Sequence, residues 1–350
     1  APTGIETVLF ENAAGRILAQ DILARSNAPA MDVSAMDGYG VCEAELGTFP
    51  KALKVIGESF AGSEPQPVFQ GGGCIRIFTG APVPRGIDRV VIQENVERVD
   101  DMAHFKTEWG AGRNIRKAGS DFEAGVCLVP KGTILNWRAM TTAASADRAG
   151  LQVYKKPKVV ILATGDELAA PGHAFKTPGH IPESVSFGVA AFAKACGADV
   201  LRSDRLADDP DRLMLSAKAA LEDADVIIVT GGASVGEKDY ARTMFGENML
   251  EYIFPKVAMK PGKPVWMAKA KANSNAKNKF ILGLPGNPGS ALVTARLFLT
   301  PLLFGMTGQD ANLACRFRNI RCRDSLPEVG ARETFSRAYL DKGQAVLFSS

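Results

Sequence analysis

The sequence holds few of the residues from which the commoner site chemistries are built. It has 3 histidines and 6 cysteines in 350 residues, and Cys42, Cys74, Cys127, Cys196, Cys315 and Cys322 lie scattered with no CxxC pair. That spacing excludes a zinc knuckle and a disulfide framework, and it predicts a reduced, cytoplasmic protein. An excess of one charge is also missing: 41 Lys and Arg against 38 Asp and Glu leave a formal net charge of +3. So mild a balance excludes a broad nucleic-acid-binding face, and any anion site must be local. No stretch reads as the roughly 20 apolar residues of a membrane span, and no basic-then-apolar leader opens the chain, so no membrane partner is expected.

What is present is an ordinary globular composition, 46% hydrophobic and 23% charged, in a chain long enough for two or more domains. Residues 1–30 contain a helix-like ENAAGRILAQ and an extended RSNAPA. Residues 31–124 change to short β-rich runs (ALKVIGES, CIRIFTG, RVVIQENVERV, HFKTEW) broken by Gly and Pro, which predicts a small β module. Residues 125–155 pair an extended VCLVPKGTIL with a helical RAMTTAASADRAG and are expected to pack back on the leading segment. From 156 to 304, the buried runs KVVILATG, ADVLRSD, ADVIIVTGG and KFILGLPG alternate with helix-like FGVAAFAKACG and PDRLMLSAKAALEDA. Such alternation predicts a doubly wound parallel sheet. A last helix, PGSALVTARLFLTPLLFG, is expected to open at Gly289 and Ser290 and to end near Pro301, and 305–350 reads as one more β-rich piece.

Three of the buried runs end in Gly-rich polar turns: Ala163-Thr164-Gly165-Asp166-Glu167, Thr230-Gly231-Gly232-Ala233-Ser234-Val235-Gly236 and Leu284-Pro285-Gly286-Asn287-Pro288-Gly289-Ser290. One such turn alone reads as a connector. Three on the carboxyl edge of a parallel sheet read as a crevice whose backbone N–H groups favour phosphate or another oxyanion. The central turn lacks the G-K-[ST] of a P-loop, and no strand opens GxGxxG. Asp239 follows this turn and suits Mg²⁺ bridged to phosphate, or else a helix cap. Seven lysines (256, 260, 263, 269, 271, 277, 279) and no acid lie between 256 and 279. From Lys269 onward they read as a loose turn. Lys256, Lys260 and Lys263 flank a Pro- and Gly-fixed Met259-Lys260-Pro261-Gly262-Lys263-Pro264 and read as anion ligands.

In order, SAMDGYG (34–40), RIFTGAPVPRG (76–86), GRNIRKAGSD (112–121), ATGDEL (163–168), TGGASVGEKDY (230–240), MKPGKP (259–264) and GLPGNPGSA (283–291) resemble the molybdopterin molybdenumtransferases, a family that includes the E domain of gephyrin. The resemblance spans nearly the whole chain. It implies an α/β plus β multidomain fold: a doubly wound, mostly parallel αβ domain (156–304), a linker domain in two segments (1–30 and 125–155), an inserted β-rich domain (31–124) and a partial carboxyl-terminal β-barrel domain (305–350). It implies transfer of molybdate to adenylated molybdopterin with release of AMP, Mg²⁺ as cofactor, and a homodimer. Further partners implied are a molybdopterin adenylyltransferase and recipient molybdoenzymes, with no nucleic acid and no membrane.

Carried over residue by residue, the resemblance makes Asp37, Thr79, Asp121, Glu167 and Asp239 catalytic. It makes Arg116, Ser234, Lys256, Lys260, Lys263, Pro285, Pro288 and Arg337 substrate- or anion-binding, and Asp239, Asp208 and Glu167 metal ligands. Val33 and Val185 stand where the family usually has Asn, and Ser349 or Ser350 falls near the serine that partners Arg337. A dimeric, non-catalytic scaffold and an adenylyltransferase acting on molybdopterin are the alternatives.

Overall fold

The computed structural model describes residues 2–47, 50–64, 67–106, 111–231, 240–246, 248–270, 278–326 and 330–348. Its packing divides the chain into two compact units: Ala1–Gln20, Lys131–Trp137 and Gly150–Ser350 form one, and Asp21–Pro130 with Arg138–Ala149 form the other.

The first unit is built on a six-stranded sheet in the spatial order Asp199–Leu206, Lys158–Thr164, Val226–Thr230, Phe280–Leu284, Trp266–Ala270, Leu250–Phe254. The first four are mutually parallel and coincide with the four apolar runs of the sequence. Their side chains alternate between two cores, as the pleat requires. Val159, Ile161, Val226, Ile228 and Leu282 face one cluster, whereas Val160, Leu162, Ile227, Val229 and Ile281 face the other. Each face is covered by a crossover helix. Val185–Ala195 places Val185, Val189 and Ala193 in the first cluster, and Pro210–Asp223 places Leu213, Ala217 and Ala220 in the second. Burying each such Val or Leu contributes about 1.5–3 kcal/mol. Asp209 caps the second helix by accepting the amides of Asp211 at 3.0 Å and Arg212 at 3.2 Å, with Pro210 in the first turn.

The sheet is not wholly parallel. Trp266–Ala270 and Leu250–Phe254 pair antiparallel at one edge, so the VWMAKA run returns as a hairpin partner of Phe280–Leu284. Lys269, expected in a loose turn, lies in that strand opposite Phe280, and 271–277 fall outside the described residues. Trp266 is fully buried here because the facing Gly283 leaves room for its indole.

The last helix corrects two expectations. Asn287 is its N-cap and Pro288 its first residue, and it runs on through a π-helical turn, Ala295–Leu299, to Met306. The wide turn precedes Pro301, which cannot donate to the carbonyl one turn back. At 19 residues and a mean hydropathy of 1.4 in its most apolar window, Pro288–Met306 is long and apolar enough to cross a membrane by composition alone. Here Ala291, Ala295, Leu299, Leu303 and Met306 pack on the sheet instead.

ENAAGRILAQ does not form the expected helix. Only Phe10–Asn12 makes a single 3₁₀ turn, Gly15 takes φ +74°, and the Leu18 amide donates to Thr133. Ile5–Leu9 pairs with Gly150–Tyr154. Beyond the last helix, the described strands are Glu333–Thr334, paired with Met259–Lys260, and the hairpin Ala338–Asp341 with Gln344–Leu347.

The second unit carries a six-stranded sheet ordered Arg89–Ile92, Gly38–Val41, Cys74–Ile77, Lys51–Ser59, Met102–Phe105, Val96–Val99. The four β-rich runs named from the sequence supply five of these strands. The sixth, Gly38–Val41, comes from SAMDGYG, which reads as a turn in isolation. Two glycines let it sit inside the sheet, since a Cβ on Gly38 would stand 2.0 Å from the Val91 carbonyl oxygen.

A Cβ added at Gly283 would meet the Trp266 Nε1 at 2.0 Å. Gly283→Ala is therefore expected to destabilise the first unit by about 1–3 kcal/mol in urea unfolding. Gly57→Ala, where nothing lies within 4 Å, is the control and should shift stability by less than about 0.5 kcal/mol.

Candidate functional site

Chain connectivity sets the place of a ligand cleft in the first unit. From Lys158–Thr164 the chain crosses to Asp199–Leu206 on one side and then to Val226–Thr230 on the other, so the strand order reverses between Lys158–Thr164 and Val226–Thr230. Ligands of open αβ sheets bind outside the carboxyl ends at such a point. A cleft of about 320 Å³ lies there, lined by Thr164 and Glu167 from the first turn, Thr230 and Gly231 from the second, and Gly286, Asn287 and Pro288 from the third. The structure thus brings together the three Gly-rich turns read from the sequence.

The turns approach closely because their glycines allow it. Gly231 has φ +89°, and a Cβ there would lie 2.2 Å from the Thr164 carbonyl oxygen; one on Gly286 would be in ordinary contact with Gly231. Pro285 is buried behind Gly286, whereas Pro288 lines the cleft. Asn287 accepts the Ser290 amide at 3.1 Å, which fixes the third turn. Val185 lines the cleft and is buried in the apolar core beneath it. Asp208 lies at the same edge, its amide donating to Asp166 at 3.0 Å. Asp239 and Ser234 lie outside the described residues. Among the described residues, no three His, Cys, Asp or Glu side chains cluster as a metal site.

Lys256, Lys260 and Lys263 are exposed and make no ion pair among the described residues. Their backbone is held, as Pro and Gly in the segment suggest. Met259–Lys260 pairs with Glu333–Thr334, and Gly262, at φ +111°, sits so near Thr294 that a Cβ would approach its methyl to 2.4 Å. Arg337 is exposed just before the Ala338–Asp341 strand, its carbonyl accepting the Phe348 amide. Ser349 and Ser350 lie outside the described residues.

In the second unit, Asp37 and Thr79 meet directly. Asp37 Oδ1 accepts both the amide and the hydroxyl of Thr79, each at 2.7 Å. Arg76 supports the pair by donating to the Gly38 carbonyl at 3.0 Å and to Gln93 at 2.7 Å, its guanidinium lying over the rings of Tyr39 and Phe78. Arg116 and Asp121 bind each other, one guanidinium nitrogen lying 2.5 Å from both carboxylate oxygens. Val33 lies in the short strand that pairs with Ile115–Arg116.

The sequence reading passed over Glu183, Arg76 and the capping role of Asn287. Glu183 lines the cleft yet is 5% exposed, and its carboxylate accepts the amide and hydroxyl of Ser186 at the start of a helix. The available signal was an acid three residues before a Ser at a helix start, in ESVS.

A doubly wound αβ unit with a Gly-lined cleft at the strand-order reversal is the architecture of a small-molecule-binding protein. Comparison with known proteins narrows this class. Residues 2–146 match the family described as the MoeA N-terminal region (domain I and II), and residues 160–305 match the "probable molybdopterin binding domain". The chain is 33% identical over 325 residues to the molybdopterin molybdenumtransferase of Nostoc sp., covering 92% of this chain and 74% of that protein. To the enzyme of the same name from Haemophilus influenzae it is 35% identical over 309 residues, covering 88% and 74%. The crystal structure of the molybdopterin biosynthesis MoeA protein of Pyrococcus horikoshii superposes with a TM-score of 0.83 at 29% identity, over 100% of this chain and 86% of that one. The chain belongs to the molybdopterin molybdenumtransferase family.

The amide of Thr79 and then its hydroxyl hold the Asp37 carboxyl below its ordinary 3.8 against a lesser opposing effect of burial, and the Arg76 charge adds the weakest contribution in the lowering direction. A carboxylate with a depressed pKa stabilises the fold above its unfolded pKa, and that contribution is lost as pH falls through its folded value. Thr79→Val removes one of the two donors. Carboxyl ¹³C NMR should find the Asp37 titration moved up towards 3.8 in this variant; an unmoved or lowered value would contradict the assignment of the pair.

Proposed function

We propose that this chain inserts molybdate into adenylated molybdopterin and releases AMP. The observation that carries the reading is the cleft at the switch point, where backbone from three Gly-rich turns converges in a unit matching a molybdopterin-binding family. Both substrates are anions. N–H groups of the Gly231 and Gly286 turns suit phosphate oxygens, and the ammonium groups of Lys256, Lys260 and Lys263 supply positive charge with no competing ion-pair partner among the described residues. As the phosphoanhydride breaks, these groups stabilise the charge gathering on the leaving AMP.

Mg²⁺ belongs to this proposal. It commonly takes one or two carboxylates together with phosphate oxygens and water, and of the described acids at this edge Glu167 and Asp208 are the two that the resemblance assigns to it. Asp239, at the end of GEKD, would be a further ligand. The bound ion would neutralise phosphate charge. Asp37, Thr79, Arg116, Asp121, Ser234, Pro285, Pro288 and Arg337 keep the roles implied by the resemblance as part of the same reading.

The four-domain division, the homodimer, the cytoplasmic location and the protein partners are likewise proposed. Support for the first comes from the family match over 2–146, whose description names two domains.

Purified chain given adenylated molybdopterin, molybdate and Mg²⁺ should release AMP and yield a product that activates an apo-molybdoenzyme. Asp239→Asn should lower AMP release at least about 100-fold with an unchanged unfolding midpoint. Lys263→Ala should raise KM more than it lowers kcat. Wild-type protein that binds these ligands without releasing AMP would favour a scaffold, and ATP turnover without adenylated substrate would favour the adenylyltransferase.

A further inference from the structure

The cleft at the switch point shares a wall with a second cavity. A recess of about 180 Å³ opens between the start of helix Val185–Ala195 and the edge strand Asp199–Leu206, and Glu183 lines both spaces. Glu183 is 5% exposed, so its carboxylate has little access to bulk water. Oε1 accepts the Ser186 amide at 2.8 Å and Oε2 the Ser186 hydroxyl, with no cation in ion-pair range among the described residues. An ionised carboxylate offers about four acceptor positions. One therefore remains on each oxygen, giving two acceptors side by side.

The rest of the recess is of two kinds. Arg205, on the edge strand, contributes guanidinium donors with no internal partner among the described residues. Phe187, Ala190 and Pro171 form apolar walls, and the Phe187 ring is 61% exposed and free to cover a flat ligand. With Glu183 and Arg205 both lining the recess, a slot with apolar faces would present acceptor, acceptor, donor along one edge, which complements a planar heterocycle whose edge reads donor, donor, acceptor. The 2-amino-4-oxopyrimidine edge has this order: an exocyclic NH₂, a ring N–H and a carbonyl. Adenine presents one NH₂ beside a bare ring nitrogen, which would set a lone pair against the second Glu183 oxygen and leave that acceptor unmatched.

We propose that the recess holds the pterin ring of the substrate. Glu183 is bidentate on the 2-amino and ring N–H groups, Arg205 donates to the 4-oxo oxygen, and the phosphates run into the adjoining cleft. Glu183 is then a specificity-determining residue, and its Ser186 bonds keep the carboxylate turned for the task. This inference rests on the transferase reading, since it assigns one end of that substrate.

The test is fluorescence titration of the full chain with free pterin and with lumazine, which carries a 2-oxo group in place of the 2-amino group, alongside AMP. Wild-type protein should prefer pterin at least about tenfold, because lumazine turns a carbonyl oxygen towards Glu183. Glu183→Gln should erase that preference. Ser203→Phe fills the recess from the edge strand and leaves residue 183 itself unaltered, and it should abolish pterin binding while leaving AMP affinity unchanged. Equal wild-type affinity for the two pteridines, or a preference that survives Glu183→Gln, overturns the proposal. So does Ser203→Phe or Glu183→Gln weakening AMP rather than pterin, which would assign the recess to adenine. Pterin binding needs no turnover, so failure of the transferase reading, seen as no AMP release by wild-type protein, is separable from failure here.

Discussion

The packing of Gly231 against the Thr164 carbonyl is the contact on which the first unit's site depends. Thr164 ends one parallel strand and Gly231 follows the end of its neighbour, and the space between them admits no side chain: a Cβ at Gly231 would stand 2.2 Å from the Thr164 oxygen. With the gap closed, the two turns share a floor, and the third turn at Gly286 lies against Gly231. Thr164 and Thr230 are both buried, so the floor of the cleft between the strand ends is backbone and short polar groups, with Leu168, Ile181 and Val185 among the apolar side chains of its walls. The proposed phosphate site rests on this floor, since fixed N–H dipoles receive an anion without reorganising.

The apolar cores hold this edge in place. Alternate residues of the same strands feed separate clusters on the two faces, each closed by a helix. The last helix begins at the cleft, with Asn287 as its cap, and ends in the core, with Leu303 and Met306. Thr294 of the same helix abuts Gly262 of the lysine-bearing segment. The cleft's third turn and the backbone between Lys260 and Lys263 are thereby braced by one element, although the lysine side chains remain in solvent.

How much of this was legible in the sequence follows from the range of the interactions involved. Strands buried on both faces are continuous apolar runs, so Lys158–Thr164, Val226–Thr230 and Phe280–Leu284 were readable directly. Gly-rich turns after such runs mark a carboxyl edge, and their convergence was expected. Trp266–Ala270 was missed as a sheet member because its burial depends on Gly283 across the sheet, a contact that no local period announces. Gly38–Val41 looked like a turn for the same reason, since its two glycines serve neighbouring strands. ENAAGRILAQ has helical composition, but its Gly15, Leu18 and Ala19 amides donate to residues more than 100 positions away. Asp37 with Thr79, and Arg116 with Asp121, emerged as contacting pairs only from the fold, whereas their selection came from the resemblance. Glu183 escaped notice because an acid before a helix ordinarily reads as a cap, and its position between two cavities is a tertiary fact.

The most direct test of the central claim, that the carboxyl edge of the parallel sheet receives the anionic substrate, is a crystal structure of the chain soaked with molybdate and AMP. The account predicts phosphate density in the cleft bounded by Thr164, Gly231 and Gly286, with oxyanion density on the side of Lys260 and Lys263. Ordered ligand found only elsewhere, with this cleft holding solvent alone, would contradict it.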